Sequence, residues 1–253
     1  MSVSPAIARS VADVPALAHR QAMVLAETEY RRFAALLADL GPDDWQTATE
    51  CAPWTVRDMA SHVLGYMRAC SSVREQVRQI RAAKRRGGPI ADAMSALQVE
   101  ELAELTGNQI QEEVSARIDS ATRGRRTVPW PVRRFARITA DLPVAGAKET
   151  WTLGFLVDII GTRDTWMHRI DISQACGRSP DLDADHDARL IADIVAEWAR
   201  RHERPFQLHL TGPAGGSFRS GTDGPTLQFD ALEFCRALSG RTDSVPFDTE
   251  VPF

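Results

Sequence analysis

Nowhere do about 18 apolar residues follow one another in this chain, so no transmembrane helix is expected. The opening residues, MSVSPAIARSVADVPALAHRQ, lack a basic start leading into a long apolar run. They do not read as a secretory signal, and a cytoplasmic location is the default expectation. Paired cysteines are missing too. The four cysteines, Cys51, Cys70, Cys176 and Cys235, are scattered with no C-x-x-C pair, which argues against a zinc ribbon or a redox dithiol. They are expected to be free thiols acting mostly as small apolar residues. There is no basic excess either: 30 Lys and Arg face 34 Asp and Glu, for a formal net charge of -4. Phosphate contacts need concentrated positive charge, so no nucleic-acid partner is expected, and no membrane partner. Internal repeats and low-complexity tracts are absent.

What is present is an ordinary globular balance, 43% hydrophobic and 25% charged over 253 residues, enough for one large domain or two modest ones. Residues 14–40 place Leu17, Val24, Leu25, Phe33, Leu36, Leu37 and Leu40 at helical spacing, and Gly41-Pro42 ends the run. A second helix has a capping-box start at Thr55 and Asp58, carries Val56, Met59, His62, Val63, Tyr66, Met67 and Cys70 on one face, and runs on to Gly87-Gly88. A third helical stretch is read from about Ala91 to Ser120. The basic RGRRTVPWPVRRFAR segment reads as a connecting loop with at most a short helix, and Arg123, Arg125, Arg126, Arg133, Arg134 and Arg137 as solvated. A fourth helix is read from about Lys148 to Ala175. Four long helices within 14–178 make a four-helix bundle. After Ser179-Pro180 a helix over about 183–203, strands at FQLHLTG and TLQFD, and a short helix at ALEFCRALSG predict a small α+β domain spanning 179–253. The fold class is thus α+β, mainly α.

Chemistry concentrates in two helices. Asp164 and His168 are four residues apart and share one helix face, where a carboxylate and an imidazole can reach the same ion. His62 lies on the apolar face of the second helix. Alone it reads as a core histidine, and the Asp–His pair alone as a solvated pair. Together they supply three ligands from two helices, and three protein ligands with open positions suit a catalytic metal. Two imidazoles and a carboxylate are compatible with Zn first, and with Ni, Fe or Mn. Asp171, one turn after His168, is placed to support it or to be a fourth ligand. Gly161, one turn before Asp164, reads as room for an entering ligand. Trp54, Trp130, Trp151 and Trp166 read as core aromatics.

The stretch Asp44–Gly65 (DWQTATECAPWTVRDMASHVLG) resembles the N-terminal signature of the mycothiol-dependent maleylpyruvate isomerase family, within the wider DinB-like metal-bound bundles. The D-x-W-x-H-R-x-D run from Asp164 to Asp171 is similar to that family's second ligand motif. The ending, FCRALSGRT through TEVPF, is similar to its C-terminal domain. The resemblance implies a DinB-like bundle with His62, Asp164 and His168 as metal ligands, Asp164 standing where the family usually has Glu. It implies mycothiol, a sugar-linked thiol, as cofactor, with Arg68 as a cofactor contact. Arg236 and Arg241 would be catalytic cations placed over the bundle mouth, facing an electrophilic or unsaturated acid. The implied activity is cis–trans isomerisation or thiol S-transfer by a metal-activated thiol. Two other readings stay open: a non-catalytic metal- or small-ligand-binding protein on the same fold, and a metal hydrolase with Asp171 as base. A monomer or homodimer fits either case.

Overall fold

The computed structural model describes residues 8–141, 148–242 and 244–253. They divide into two compact units, residues 18–180 and residues 181–253 together with 8–17. The chain opens with a two-residue strand, β1 (Arg9–Ser10), which belongs to the second unit.

The first unit is the helical one. Its elements are α1 (His19–Ala38), α2 (Val56–Ser71), α3 (Val73–Arg86), α4 (Ile90–Glu101), α5 (Gly107–Arg126) and the short α6 (Trp130–Phe135). A two-stranded ribbon follows, β2 (Arg137–Asp141) paired antiparallel with β3 (Lys148–Thr152). The unit closes with α7 (Leu153–Phe155), a π-helical turn over Leu156–Ile160, and α8 (Gly161–Ala175).

The core lies between α1, α2, α5 and α8, where Tyr30, Phe33, Leu37, Met59, Val63, Leu64, Met67, Ile110, Val114 and Ile172 are almost fully buried. Close approach of α2 and α5 depends on Gly124, because a Cβ there would collide with the Cys70 carbonyl. Val24, assigned to the apolar side of the first helix, is 57% exposed instead.

Three expectations for this unit are corrected. The second helix breaks at Ser72, whose side chain accepts the Glu75 N–H and starts α3. The third breaks before Thr106, which forms a capping box with Gln109 and starts α5. The fourth does not begin at Lys148. Residues 148–152 are strand, and the helical path starts at Leu153 behind the Thr152 cap. The capping box foreseen at Thr55 and Asp58 is present.

In the second unit α9 (His186–His202) and α10 (Ala231–Leu238) accompany β4 (Phe206–Thr211), β5 (Gly216–Ser220) and β6 (Thr226–Asp230). The sheet order is β1-β5-β4-β6, with β4 antiparallel to β5 and parallel to β6. Strand β4 alternates as its sequence requires: Phe206, Leu208 and Leu210 are buried, and Gln207, His209 and Thr211 are exposed. Trp198 centres this core, its ring against Phe206, Phe234 and Phe247 and its indole N–H donating to the Pro246 carbonyl at 3.1 Å.

Candidate metal centre

Faces of α2 and α8 meet at the centre. On α2, the Thr55 capping box fixes the first turn and places His62 two turns in, 9% exposed. On α8, Asp164 and His168 stack one turn apart. His62 Nε2 lies 3.3 Å from Asp164 Oδ2, and His168 Nε2 lies 3.3 Å from Asp164 Oδ1. One donor atom from each of the three residues falls within 4.8 Å of the others. The structure therefore brings His62, Asp164 and His168 together.

The surroundings suit a cation. Asp171, fully buried, directs Oδ2 at His168 Nδ1 at 3.3 Å. With the ring neutral, that contact favours the proton on Nδ1 and leaves the Nε2 lone pair facing Asp164 and His62, the usual support for a metal-binding histidine. His62 Nδ1 is buried with no hydrogen-bond partner among the described residues. Burial raises the Asp164 carboxyl, but His168 and then His62 outweigh it and hold the group well below the usual carboxylate range. Burial likewise opposes charge on His168, yet Asp164 and then Asp171 push it up to about 9. In the metal-free protein a proton sits where a cation would bind. Two imidazoles and a carboxylate on rigid helices fit a divalent ion, and Asp, although shorter than Glu, still reaches both histidines.

Two neighbours carried no signal as site residues in the sequence. Trp54, half-buried, sets its ring 5.3 Å from His62 and 6.2 Å from His168, centroid to centroid, forming one wall. Cys51, also half-buried, lies 3.7 Å from Asp171 Oδ2. Both come from the turn before α2. In it the Trp54 N–H donates to the Cys51 carbonyl and the Thr49 N–H to the Trp54 carbonyl. The aromatic expectation divides accordingly: Trp166 is core, Trp54 and Trp151 are half-buried, and Trp130 is 61% exposed.

One turn from the ligands, Gly161 does not open an entry. The Tyr66 ring occupies that space, and a Cβ on Gly161 would collide with its hydroxyl and ring edge. Arg125 is not a solvated arginine. It is 1% exposed, donates to the Val157 carbonyl from Nε (2.9 Å) and Nη2 (2.6 Å), and reaches Thr162 Oγ1 and the Tyr30 hydroxyl. It thereby satisfies a carbonyl of the π-helical turn leading into α8. Arg133 is paired with Asp158 at 2.6 Å.

The three candidate arginines have the following partners. Arg68, at the end of α2, forms a two-pronged ion pair with Glu113 of α5, with Nε 2.8 Å from Oε1. Arg236 lies in α10 of the second unit, buried, with Nε 3.4 Å from Glu233. Arg241 follows it in the same unit, its N–H donating to the Arg236 carbonyl.

Two solved structures share the fold along nearly the whole length: a mycothiol-dependent maleylpyruvate isomerase and a histidine-to-alanine mutant of such an enzyme. Each superposes with a TM-score of 0.56, covering 96% of this chain and 97% of the other, at 15% and 14% identity respectively. No curated protein matches the chain. Residues 26–173, more than half of the sequence and a span that holds His62, Asp164 and His168, match the mycothiol maleylpyruvate isomerase N-terminal domain, and the chain belongs to that family.

Proposed function

We propose that this protein is a mycothiol-dependent enzyme working at a divalent metal centre. The reaction is either cis–trans isomerisation of an unsaturated acid or transfer of the thiol to an electrophile. The observation that carries the reading is the convergence of His62, Asp164 and His168 within 4.8 Å, in a chain of this family. When bound there, a divalent cation such as zinc would hold a thiol as its thiolate, the nucleophilic form.

The chain's own residues account for the rest. His62 and His168 would offer Nε2, and Asp164 one carboxylate oxygen, leaving positions free for the thiol. Asp171 keeps the His168 proton on Nδ1, so that Nε2 stays a ligand. Its Oδ2 is turned to His168 and Cys51, which speaks against its serving as the base of a metal hydrolase. Trp54 shields the two imidazoles on one side and so limits water there. Arg236 and Arg241 are proposed to receive the carboxylate of an acidic substrate. Arg68 is proposed to contact mycothiol, which requires exchanging its Glu113 partner for the cofactor.

Elemental analysis of wild type and His168→Ala, followed by thermal melts with added mycothiol, tests this reading. Stoichiometric metal that is lost in the variant, with mycothiol raising the melting temperature of wild type only, is the expected result. Metal without a mycothiol effect would remove the thiol from the reading, and wild type unable to bind metal would remove the centre itself.

A further inference from the structure

Beyond that trio lies a second set of donors. Cys51 Sγ, Asp171 Oδ2 and a ring nitrogen of His168 also lie within 4.8 Å of one another. The relevant nitrogen is Nδ1, 3.3 Å from Asp171 Oδ2 and on the opposite side of the ring from Asp164. The three come from rigid places. Asp171 and His168 are one turn apart on α8, and Cys51 is fixed by the turn before α2, where Ala48 and Thr55 also form a bridge. Cys51 is half-buried, so an ion can reach it from solvent.

A thiolate, an imidazole and a carboxylate form a softer donor set than two imidazoles and a carboxylate. They favour thiophilic ions: Cd²⁺, Zn²⁺ or Cu⁺. We propose that Cys51, Asp171 and His168 Nδ1 form a second cation site, selective for thiophilic ions, which competes with His62 and Asp164 for His168. Binding balances as follows. The Cys51 thiol releases its proton to solvent and the sulfur bonds the ion. His168, protonated on both ring nitrogens before the ion arrives, releases its Nδ1 proton to solvent and keeps the Nε2 proton donated to Asp164 Oδ1 at 3.3 Å, and Nδ1 bonds the ion. Each face of this imidazole thus has a carboxylate ready to hold the ring proton when the other face is metallated. A neutral imidazole carries one proton, so ions on both nitrogens together would demand an imidazolate, and the two sites fill in alternation.

The test separates this site from the proposed thiol chemistry, because His62→Ala removes a ligand of the first set alone. Metal-free His62→Ala is titrated with cadmium, following the thiolate-to-cadmium charge-transfer band and the cadmium retained after desalting. A saturable band with stoichiometric cadmium is expected. It should disappear in His62→Ala/Cys51→Ser and weaken markedly in His62→Ala/Asp171→Asn, which removes one of the three ligands. Circular dichroism of each variant checks that the helices persist. Absence of the band in His62→Ala, or its persistence in the Cys51→Ser background through Cys70, Cys176 or Cys235, overturns the site. In wild type, prior loading with zinc should move the cadmium titration to higher concentration, and superimposable curves would overturn the sharing of His168.

Discussion

His168 shows how one side chain ties fold stability to ligand binding. Its pKa near 9 lies above the ordinary 6.5 because Asp164 and Asp171 outweigh the cost of burial. An imidazole raised in the folded state stabilises the fold fully below 6.5, and that contribution is lost as pH rises towards 9. The gap corresponds to roughly 3 kcal/mol, and His168 is too buried for solvent to screen much of it. Asp164 works in the other direction, since a carboxyl held low loses its contribution only in strong acid, outside this window. Chelator-treated protein should therefore unfold in less urea at pH 9 than at pH 6.5, and His168→Gln should flatten the difference. With metal in excess the dependence reverses, because cation and proton compete for Nε2 and affinity climbs as pH rises to about 9. Equal urea midpoints for the chelated protein at both pH values would contradict the ion pair.

At this scale the pairing of Asp164 with His168 was legible, since i, i+4 spacing on a helix is a geometric statement that folding does not alter, and the inward face of His62 followed from its apolar neighbours. Cys51 and Trp54 were not. They reach the centre through a turn, and no periodicity in the sequence states where a turn points. Arg125 was misread for a related reason. A basic run signals solvent on average, but one member of this run faces inward from the last turns of α5, where neutral acceptors wait for it.

At the scale of elements, the errors in the helix map have one cause. Apolar periodicity continues across short breaks, so α2 and α3, and then α4 and α5, read as single helices. The caps that divide them were written in the sequence as Ser72-x-x-Glu75 and Thr106-x-x-Gln109, the same signature that located Thr55 and Asp58. The strand at 148–152 was hidden differently. Its partner is β2, and two short polar strands acquire their identity only by pairing.

The π-helical turn at Leu156–Ile160 could not be read at all, yet it leads directly into α8, which carries Asp164 and His168. Such turns leave backbone carbonyls to be satisfied from outside the helix. Arg125 supplies that bond to Val157, with neutral groups as its only hydrogen-bond partners among the described residues. Arg125→Met is expected to destabilise the protein by about 2–4 kcal/mol, because Val157, Thr162 and Tyr30 lose buried bonds together. The register of α8 should suffer as well. Metal affinity should fall even though no ligand is changed, read as a shifted zinc competition curve at a temperature where the variant remains helical. Unchanged affinity in a destabilised variant would show that the turn is braced for stability alone.

Over the whole molecule, all three ligands of the proposed centre come from one compact unit, residues 18–180, while the Trp198 core belongs to the other. The family match, over 26–173, falls inside the first unit. The sequence placed the change of architecture near Ser179-Pro180 because punctuation and periodicity both change there. It gave no sign that residues 8–17 would join the second unit through β1 and β5, since a two-residue strand has no pattern of its own. A ligand that binds only the folded state stabilises it by RT ln(1 + [L]/Kd), about 4 kcal/mol at a thousandfold excess over Kd. If His62, Asp164 and His168 are the ligands, that stabilisation enters through α2 and α8. Hydrogen exchange with and without zinc should then show slowed exchange first in peptides covering 56–71 and 161–175. Peptides covering 206–230 should change least, and His168→Ala should abolish the difference everywhere. Protection that appeared first in 206–230, or that survived His168→Ala, would place the cation away from the bundle and remove the basis for a thiol-activating centre there.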